Sequence, residues 1–245
     1  MIDYPGPDPS LLSGTIAIAT ATLAFLVYLF TTGSERFGRG IRRKYSDRAA
    51  AVRRILFQRV LGAVVFGLIP FLIMIFVFRR PMAQYGFSGD NLMKSFLWWM
   101  PIAGVVIILS YIGARSEKNL AMYPQIRVSD WNVGLLVVSA LSWVTYLIGY
   151  EFLFRGYLLF SCLESFGYWP AIIINISLYS LFHIHKGSRE AIGSIFFGFL
   201  LCYITLHLGS FWFAIFIHVT MALSNEWFSL GFQPEMNLIK NARKK

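Results

Sequence analysis

Four ionisable side chains lie in apolar parts of this sequence: Glu151, Arg155, His183 and His218. A charged group in hydrocarbon is costly, and it persists mainly where it is paired or functional. The four-residue spacing of Glu151 and Arg155 places them one turn apart on one face of a helix. We therefore treat these four as candidate catalytic residues, and the two histidines also as candidate metal ligands.

Three kinds of role are open to this set. In metal-assisted hydrolysis, His183 and His218 would bind a divalent metal such as zinc, and Glu151 would take a proton from water or act as a further ligand. In metal-free hydrolysis, Glu151 is the general base, and a histidine orients the water or stabilises the oxyanion. In a purely structural role, Glu151 and Arg155 form an ion pair, and each histidine satisfies a backbone group.

A turn around Gly167 relates Glu151 to His183. Glu151 lies 16 residues before Gly167, and His183 lies 16 residues after it. In an antiparallel helical hairpin, residues equally far from the turn lie at the same depth. We therefore expect Glu151 and His183 to face each other across the helix pair. The depth of His218 is less tightly defined, because it lies in a later helix.

The composition indicates a protein that spans a membrane. Hydrophobic residues make up 57% of the 245 residues and charged residues only 14%, whereas about 25% of a typical soluble domain is charged. We predict an all-α, polytopic membrane helical bundle of about seven transmembrane helices. The predicted spans cover residues 11–32, 60–78, 96–114, 131–165, 170–185, 189–208 and 211–229.

The net charge of +10 is concentrated between apolar spans, mainly in residues 35–59, and at the end of the chain. By the positive-inside rule, this loop and the tail are cytoplasmic, and the N-terminus lies outside. The expected location is the inner or plasma membrane of a bacterial cell. Cations in such places are expected to contact membrane lipids, and we expect no nucleic-acid partner.

Three short motifs carry a resemblance to a known family. Residues 150–156 read Tyr-Glu-Phe-Leu-Phe-Arg-Gly, residues 179–183 read Tyr-Ser-Leu-Phe-His, and residues 218–222 read His-Val-Thr-Met-Ala. In order and spacing they resemble the Glu-Glu-x-x-x-Arg, Phe-x-x-x-His and His-x-x-x-Asn motifs of the CPBP family. This family contains CAAX proteases and bacteriocin-processing enzymes, and it is also called the ABI or CAAX prenyl protease type 2 family.

The resemblance implies an intramembrane endopeptidase with a site that opens to the cytoplasm. Its substrate would be a peptide or a lipidated peptide, and the resemblance leaves the use of a metal open. Residues 131–229 would form a CPBP-like four-helix core. Residues 1–130 would form an N-terminal three-span region with a basic cytoplasmic loop, and residues 230–245 a basic cytoplasmic tail. Asp130 is expected to cap the long helix that begins the core.

The sequence departs from the family motifs at three positions. Tyr179 replaces the phenylalanine of the second motif, a mild change that adds a hydroxyl. Tyr150 replaces the glutamate that is usually credited with activating water in this family. Ala222 replaces the asparagine, which removes a donor that could stabilise an oxyanion. Two functions therefore stay open: an active protease in which Glu151 is the base, or a catalytically inactive peptide-binding, immunity or scaffold membrane protein. A transporter is disfavoured, because no inverted repeats are visible in the sequence.

Overall fold

A computed structural model describes residues 8–239 of the chain as a bundle of long helices. After a 3₁₀ turn at Pro9–Leu11, the α-helices are α1 (Leu12–Thr32), α2 (Glu35–Lys44), α3 (Asp47–Gly62), α4 (Ile69–Ile73), α5 (Leu92–Gly113), α6 (Glu117–Met122), α7 (Val133–Glu151), α8 (Leu159–Phe166), α9 (Tyr168–Leu181), α10 (Ser188–Leu208) and α11 (Trp212–Phe232). Segments of π-helix lie at Ala63–Leu68, Met74–Phe78 and Phe152–Leu158, and 3₁₀ turns at Met82–Tyr85 and Ile184–Lys186. Two short strands, β1 (Asp130–Trp131) and β2 (Asn237–Leu238), pair in parallel.

Five helical stretches of the described residues are long and apolar enough to cross a membrane. They are Pro9–Thr32, Asp47–Phe78, Leu92–Gly113, Val133–Phe166 and Ser188–Leu208. The prediction of an all-α membrane bundle is therefore confirmed, and the chain is an integral membrane protein. The number seven stays a prediction, for two reasons. Helix α9 is only about 21 Å long at 1.5 Å per residue, and α11 carries the polar residues His218, Asn225 and Glu226.

The second and fourth of these stretches change from α- to π-helical winding inside the bundle. In the second stretch, two π segments bracket α4, which contains the buried Pro70. Proline has no N–H to donate and crowds the preceding turn, and wider turns are a common way for a helix to accommodate such a disruption. In the fourth stretch, the π segment follows Glu151 directly.

Helix α7 and the π segment Ala63–Leu68 cross with their backbones in close contact. A Cβ atom added to Gly67 would lie only 2.9 Å from the Cα atom of Gly149. Only glycine allows this approach, because any side chain would have to displace the backbone of the other helix. The crossing brings the second membrane stretch against the end of α7, immediately before Glu151.

The side chains of residues 151–159 are all buried, in the middle of the largest hydrophobic cluster. Residues of α1, α9 and α10 surround them, including Ala21, Ile172 and Cys202. The predicted four-helix core thus packs against the N-terminal spans. Ser165 at the end of α8, for example, accepts a hydrogen bond from the backbone N–H of Gly14 at 2.9 Å.

Several sequence-based details need correction. Asn132, not Asp130, caps α7, because its side chain accepts a hydrogen bond from the N–H of Leu135 at 2.8 Å, while Asp130 lies in β1. The basic segment predicted as a loop is mostly helical, in α2 and the first part of α3. The basic residues from Lys240 onward lie outside the described residues.

Arg59 is the largest departure from the sequence-based expectation. The sequence predicts an exposed residue at the end of the basic loop, but Arg59 is only 3% exposed, and its Nη2 lies 3.4 Å from Oε1 of Glu226, which is 1% exposed. Its Nη1 donates to the carbonyl of Ser139 at 2.9 Å and to the hydroxyl of Ser142 at 2.8 Å. This buried cluster ties α3 to α7 and α11.

Candidate active site

The candidate site begins where α7 ends. Glu151 is the last residue of α7, and Arg155 lies in the π segment that follows. Both are fully buried, and Nη1 of Arg155 lies 3.3 Å from Oε2 of Glu151. This geometry is the intrahelical ion pair that the spacing predicts. A buried guanidinium and carboxylate compensate each other's charge, which an apolar interior requires.

His218 provides the second partner of the carboxylate. Its Nδ1 lies 2.5 Å from Oε1 of Glu151, so that the carboxylate contacts the imidazole on one oxygen and the guanidinium on the other. His218 lies in the first third of α11, and 11% of its side chain is exposed, whereas Glu151 has no exposed surface. The sequence did not fix the depth of His218, so this contact could not be derived from it.

The π segment is held by a polar contact from α9. Nδ2 of Asn175 donates to the carbonyl of Phe154 at 2.5 Å, and the thiol of Cys202 donates to Oδ1 of Asn175 at 3.2 Å. A π-helical turn disturbs the regular backbone ladder, and a buried carbonyl needs a donor. Asn175 meets this need and links α9 and α10 to the turn that carries Arg155.

His183 reaches the same region from the turn after α9. The helix ends at Leu181, not near residue 185 as predicted, so His183 lies just beyond its last turn. Its Nδ1 lies 2.8 Å from the carbonyl oxygen of Tyr179, and its ring is 4.6 Å from the ring of Tyr179, between centroids. The guanidinium of Arg155 lies over the same Tyr179 ring, with 4.1 Å between its carbon atom and the ring centroid.

Tyr150 connects the two histidines. Its ring centroid lies 6.5 Å from that of His183 and 5.7 Å from that of His218, with both contacts nearly edge to face. The depth argument therefore places the right segments together, because Tyr150, the neighbour of Glu151 in the chain, contacts His183. Tyr150 is 5% exposed and also packs on Phe154 and Phe182.

The structure thus brings all four predicted residues into one region, as a group of three centred on Glu151 and a half-buried His183 that tyrosines connect to it. Glu151 contacts Arg155 and His218, while His183 contacts Tyr179 and Tyr150. Tyr179, which sequence analysis noted only as a mild motif change, supplies both a stacking surface and a backbone acceptor. The hydroxyl that distinguishes it from the phenylalanine of the family motif is not needed for either contact.

The donor set does not fit a zinc centre. Protein zinc sites use three or four His, Cys, Asp or Glu ligands around one point. Within residues 8–239, no three such side chains come together in a way that could hold a metal ion. Nδ1 of His183 and Nδ1 of His218 each face an oxygen atom, from Tyr179 and Glu151, so any further partner of either ring would have to use Nε2.

Two further buried ionisable residues were missed by sequence reasoning. Glu226 lies eight residues after His218 in the same helix and pairs with Arg59. A lone carboxylate in an otherwise apolar helix is a signal that a buried cation must lie nearby. The partner could not be named from sequence, because several arginines precede the second apolar span.

Comparison with known proteins identifies one region of the chain. The family model described as Rce1-like, type II CAAX prenyl endopeptidase Rce1-like, matches residues 132–224. The matched region begins at the cap of α7 and ends within α11, so it contains Glu151, Arg155, His183 and His218. No curated protein and no solved structure gave a significant match.

Proposed function

We propose that this chain, whose residues 132–224 belong to the type II CAAX prenyl endopeptidase Rce1-like family, hydrolyses a peptide bond at the pair formed by His218 and Glu151. One observation carries the proposal. A fully buried carboxylate lies 2.5 Å from Nδ1 of an imidazole that keeps 11% of its side chain exposed. A carboxylate in this position orients a histidine for proton transfer.

The proposed roles of Glu151 and His218 follow from how far each side chain is exposed. The sequence suggested Glu151 as the general base, but both of its oxygens contact side chains and none of its surface is exposed. We therefore assign proton abstraction to Nε2 of His218, and we assign Glu151 to positioning. With Nδ1–H donating to Glu151, the lone pair of the neutral imidazole lies on Nε2.

The proposed reaction then needs one water molecule. As its oxygen attacks the carbonyl carbon of the scissile peptide bond, Nε2 of His218 takes a proton from it. The carbonyl π electrons move to oxygen and give a tetrahedral intermediate. When this collapses, the C–N bond breaks, and the imidazolium returns the proton to the leaving amine. Glu151 stabilises the positive charge on His218 between these two steps.

His183 and Arg155 have supporting roles in this proposal. Nδ1–H of His183 donates to the Tyr179 carbonyl, so Nε2 is the ring atom that can accept a hydrogen bond from the attacking water or, once protonated, donate one to the oxyanion. Arg155 pairs with the Glu151 carboxylate and fixes the position of its second oxygen. The proposed chemistry uses these side chains without a metal ion.

The substrate that we propose is a peptide or a lipidated peptide that enters from the cytoplasmic side. Two arguments support this. The matched family is described as prenyl endopeptidases, and from the excess of arginine in residues 35–59 we infer, by the positive-inside rule, that this segment is cytoplasmic. A membrane site also suits a substrate whose lipid chain partitions into the bilayer.

A catalytically inactive relative is the second candidate, and the surroundings of Tyr150 favour it. Where the family motif has a carboxylate, this chain has an aromatic ring packed between both histidines. Such a site would bind a peptide without cleaving it, as an immunity or scaffold protein does.

The proposal predicts a ranking of variants in peptide cleavage. His218→Ala should lower the rate by about 10²–10⁴-fold, the contribution expected of a general base. Glu151→Asp keeps the charge opposite Arg155 but withdraws the carboxylate from His218. It should lower the rate less and change the pH–rate profile. His207→Ala is the matched control, because His207 is exposed and lies at the end of α10.

The assay uses the full chain in lipid nanodiscs and two fluorogenic peptides, one with a prenylated cysteine and one without it. Folding of each variant is checked by its thermal unfolding midpoint. Normal cleavage by His218→Ala would refute the assignment. Binding of both peptides by the wild type without cleavage would support the inactive relative instead.

A further inference from the structure

An apolar slot lies between the end of α1 and the start of α2. It encloses about 530 Å³ and is lined by Leu26, Val27, Phe30, Thr31, Ser34 and Phe37. Phe30 is 72% exposed and Val27 50% exposed, so the slot opens to the outer surface of the bundle. Leu26 and Phe30 are four residues apart and therefore share one face of α1.

The slot is separated from the candidate active site by α1 itself. Phe25, on the inner face of the helix, stacks on Phe182 with 3.9 Å between ring centroids. Tyr28 packs on Phe66 at 5.0 Å, and Phe66 packs in turn on Tyr150. The inner face of α1 thus packs against residues that contact the candidate site, while the slot lies on the exposed, outer face of the helix.

Helix α2 carries positive charge close to the end of the slot that is lined by Thr31 and Ser34. It starts three residues after α1 ends, and Ser34, which lines the slot, accepts a hydrogen bond from the N–H of Phe37 at 3.4 Å. Its exposed residues Arg36, Arg39 and Arg43 recur at helical spacing and share one face. Within the described part of the chain, no ion pair or hydrogen bond engages these three side chains. Glu35 is the only acidic residue of α2.

We propose that the slot and α2 together bind an anionic phospholipid. One acyl chain lies along Leu26, Val27 and Phe30, and the phosphate contacts the arginine face of α2. Arg36 lies between Ser34 and Phe37 in the chain, so the first of these arginines directly adjoins the residues that line the slot. This arrangement suits a molecule with a hydrocarbon chain attached to a negative group. A nucleic acid or free phosphate would use the arginines but leave the apolar slot uncovered. Each basic residue near an anionic membrane surface strengthens the attraction, so three act together.

The test uses the purified full chain in mixed micelles and four probes: dioleoyl phosphatidylglycerol, dioleoyl phosphatidylcholine, inorganic phosphate and a short DNA duplex. Binding is measured by the shift of the thermal unfolding midpoint, and lipid retention by native mass spectrometry. One variant, Arg36→Gln with Arg39→Gln and Arg43→Gln, removes the charge. A second variant, Val27→Trp, fills the slot at a residue that faces outward. The control, Lys118→Gln with Arg189→Gln, removes exposed cations on α6 and α10.

We expect phosphatidylglycerol to raise the unfolding midpoint and to be retained, and the three-arginine variant to bind it about 10- to 100-fold more weakly. Val27→Trp should also lose retention, and the control should not. Equal stabilisation by phosphatidylcholine, by phosphate or by DNA would overturn the proposal. So would full retention by either slot or charge variant. Val27→Trp leaves every charge in place, so the test stands even if the three-arginine variant fails to fold.

Discussion

Replacing Glu226 by glutamine should destabilise the bundle strongly, although the change removes only a charge. Glu226 is 1% exposed, and its Oε1 lies 3.4 Å from the Arg59 guanidinium. Removing one member of a buried ion pair leaves the other charge uncompensated, which typically costs about 3–5 kcal/mol. That is roughly a hundredfold to a few thousandfold change in the ratio of folded to unfolded protein.

A second variant separates the effect of the uncompensated charge on stability from the effect of side-chain shape. In Glu226→Gln with Arg59→Met, no uncompensated charge remains, and glutamine can still accept the hydrogen bond that Glu226 receives from the N–H of Gln125 at 3.2 Å. We expect this double variant to recover most of the lost stability. Part of the loss should remain, because Arg59 also donates to Ser139 and stacks on the Trp143 ring at 4.2 Å.

The control is an ion pair of the same type at the surface. Arg80 and Glu164 also pair, but their side chains are 45% and 42% exposed. Exposed pairs contribute about 0–1 kcal/mol, so Glu164→Gln should have little effect. All variants are compared by reversible unfolding in mixed micelles. The reasoning fails if Glu226→Gln costs no more than Glu164→Gln, or if the double variant is as unstable as the single one.

Two further predictions concern the helices that hold the site. Gly67→Ala should destabilise the protein by about 1–3 kcal/mol, the usual cost of overpacking, because the new Cβ would lie 2.9 Å from the Cα of Gly149. The measurement is thermal unfolding. The control is Gly104→Ala, because a Cβ at Gly104 meets nothing within 4 Å. Asn175→Ala should cost about 1–3 kcal/mol, because the buried Phe154 carbonyl loses its donor. It should also lower the peptide cleavage rate, and unchanged unfolding would contradict the proposed support of the π segment.

The pairing of helices around the site could be predicted because it depends on regular geometry. The spacing of Glu151 and Arg155 predicts their ion pair, and the equal distances from Gly167 bring the end of α7 to the turn that holds His183. The three motifs predict the family. These inferences need only helical periodicity, a turn, and the cost of charge in hydrocarbon.

Other features had no local signal in the sequence. The π-helical segment after Glu151 receives a hydrogen bond from Asn175, which lies in a different helix. The contact between His218 and Glu151 depends on the axial position of α11 relative to α7. The lengths of the connecting loops do not determine this position. Arg59 looked like one more member of a basic loop, because only tertiary packing distinguishes it from the exposed arginines before it.

The sharing of Glu151 between Arg155 and His218 bears on the electrical balance of the site. At rest, one buried cation faces one buried anion, and their sum is zero. Transfer of a proton from water to His218 during attack would create one new positive charge beside Glu151 and one new negative charge on the substrate oxygen. The four charges would alternate in sign and again cancel. The attack step would therefore create no net charge in the hydrocarbon, where such a charge is most costly.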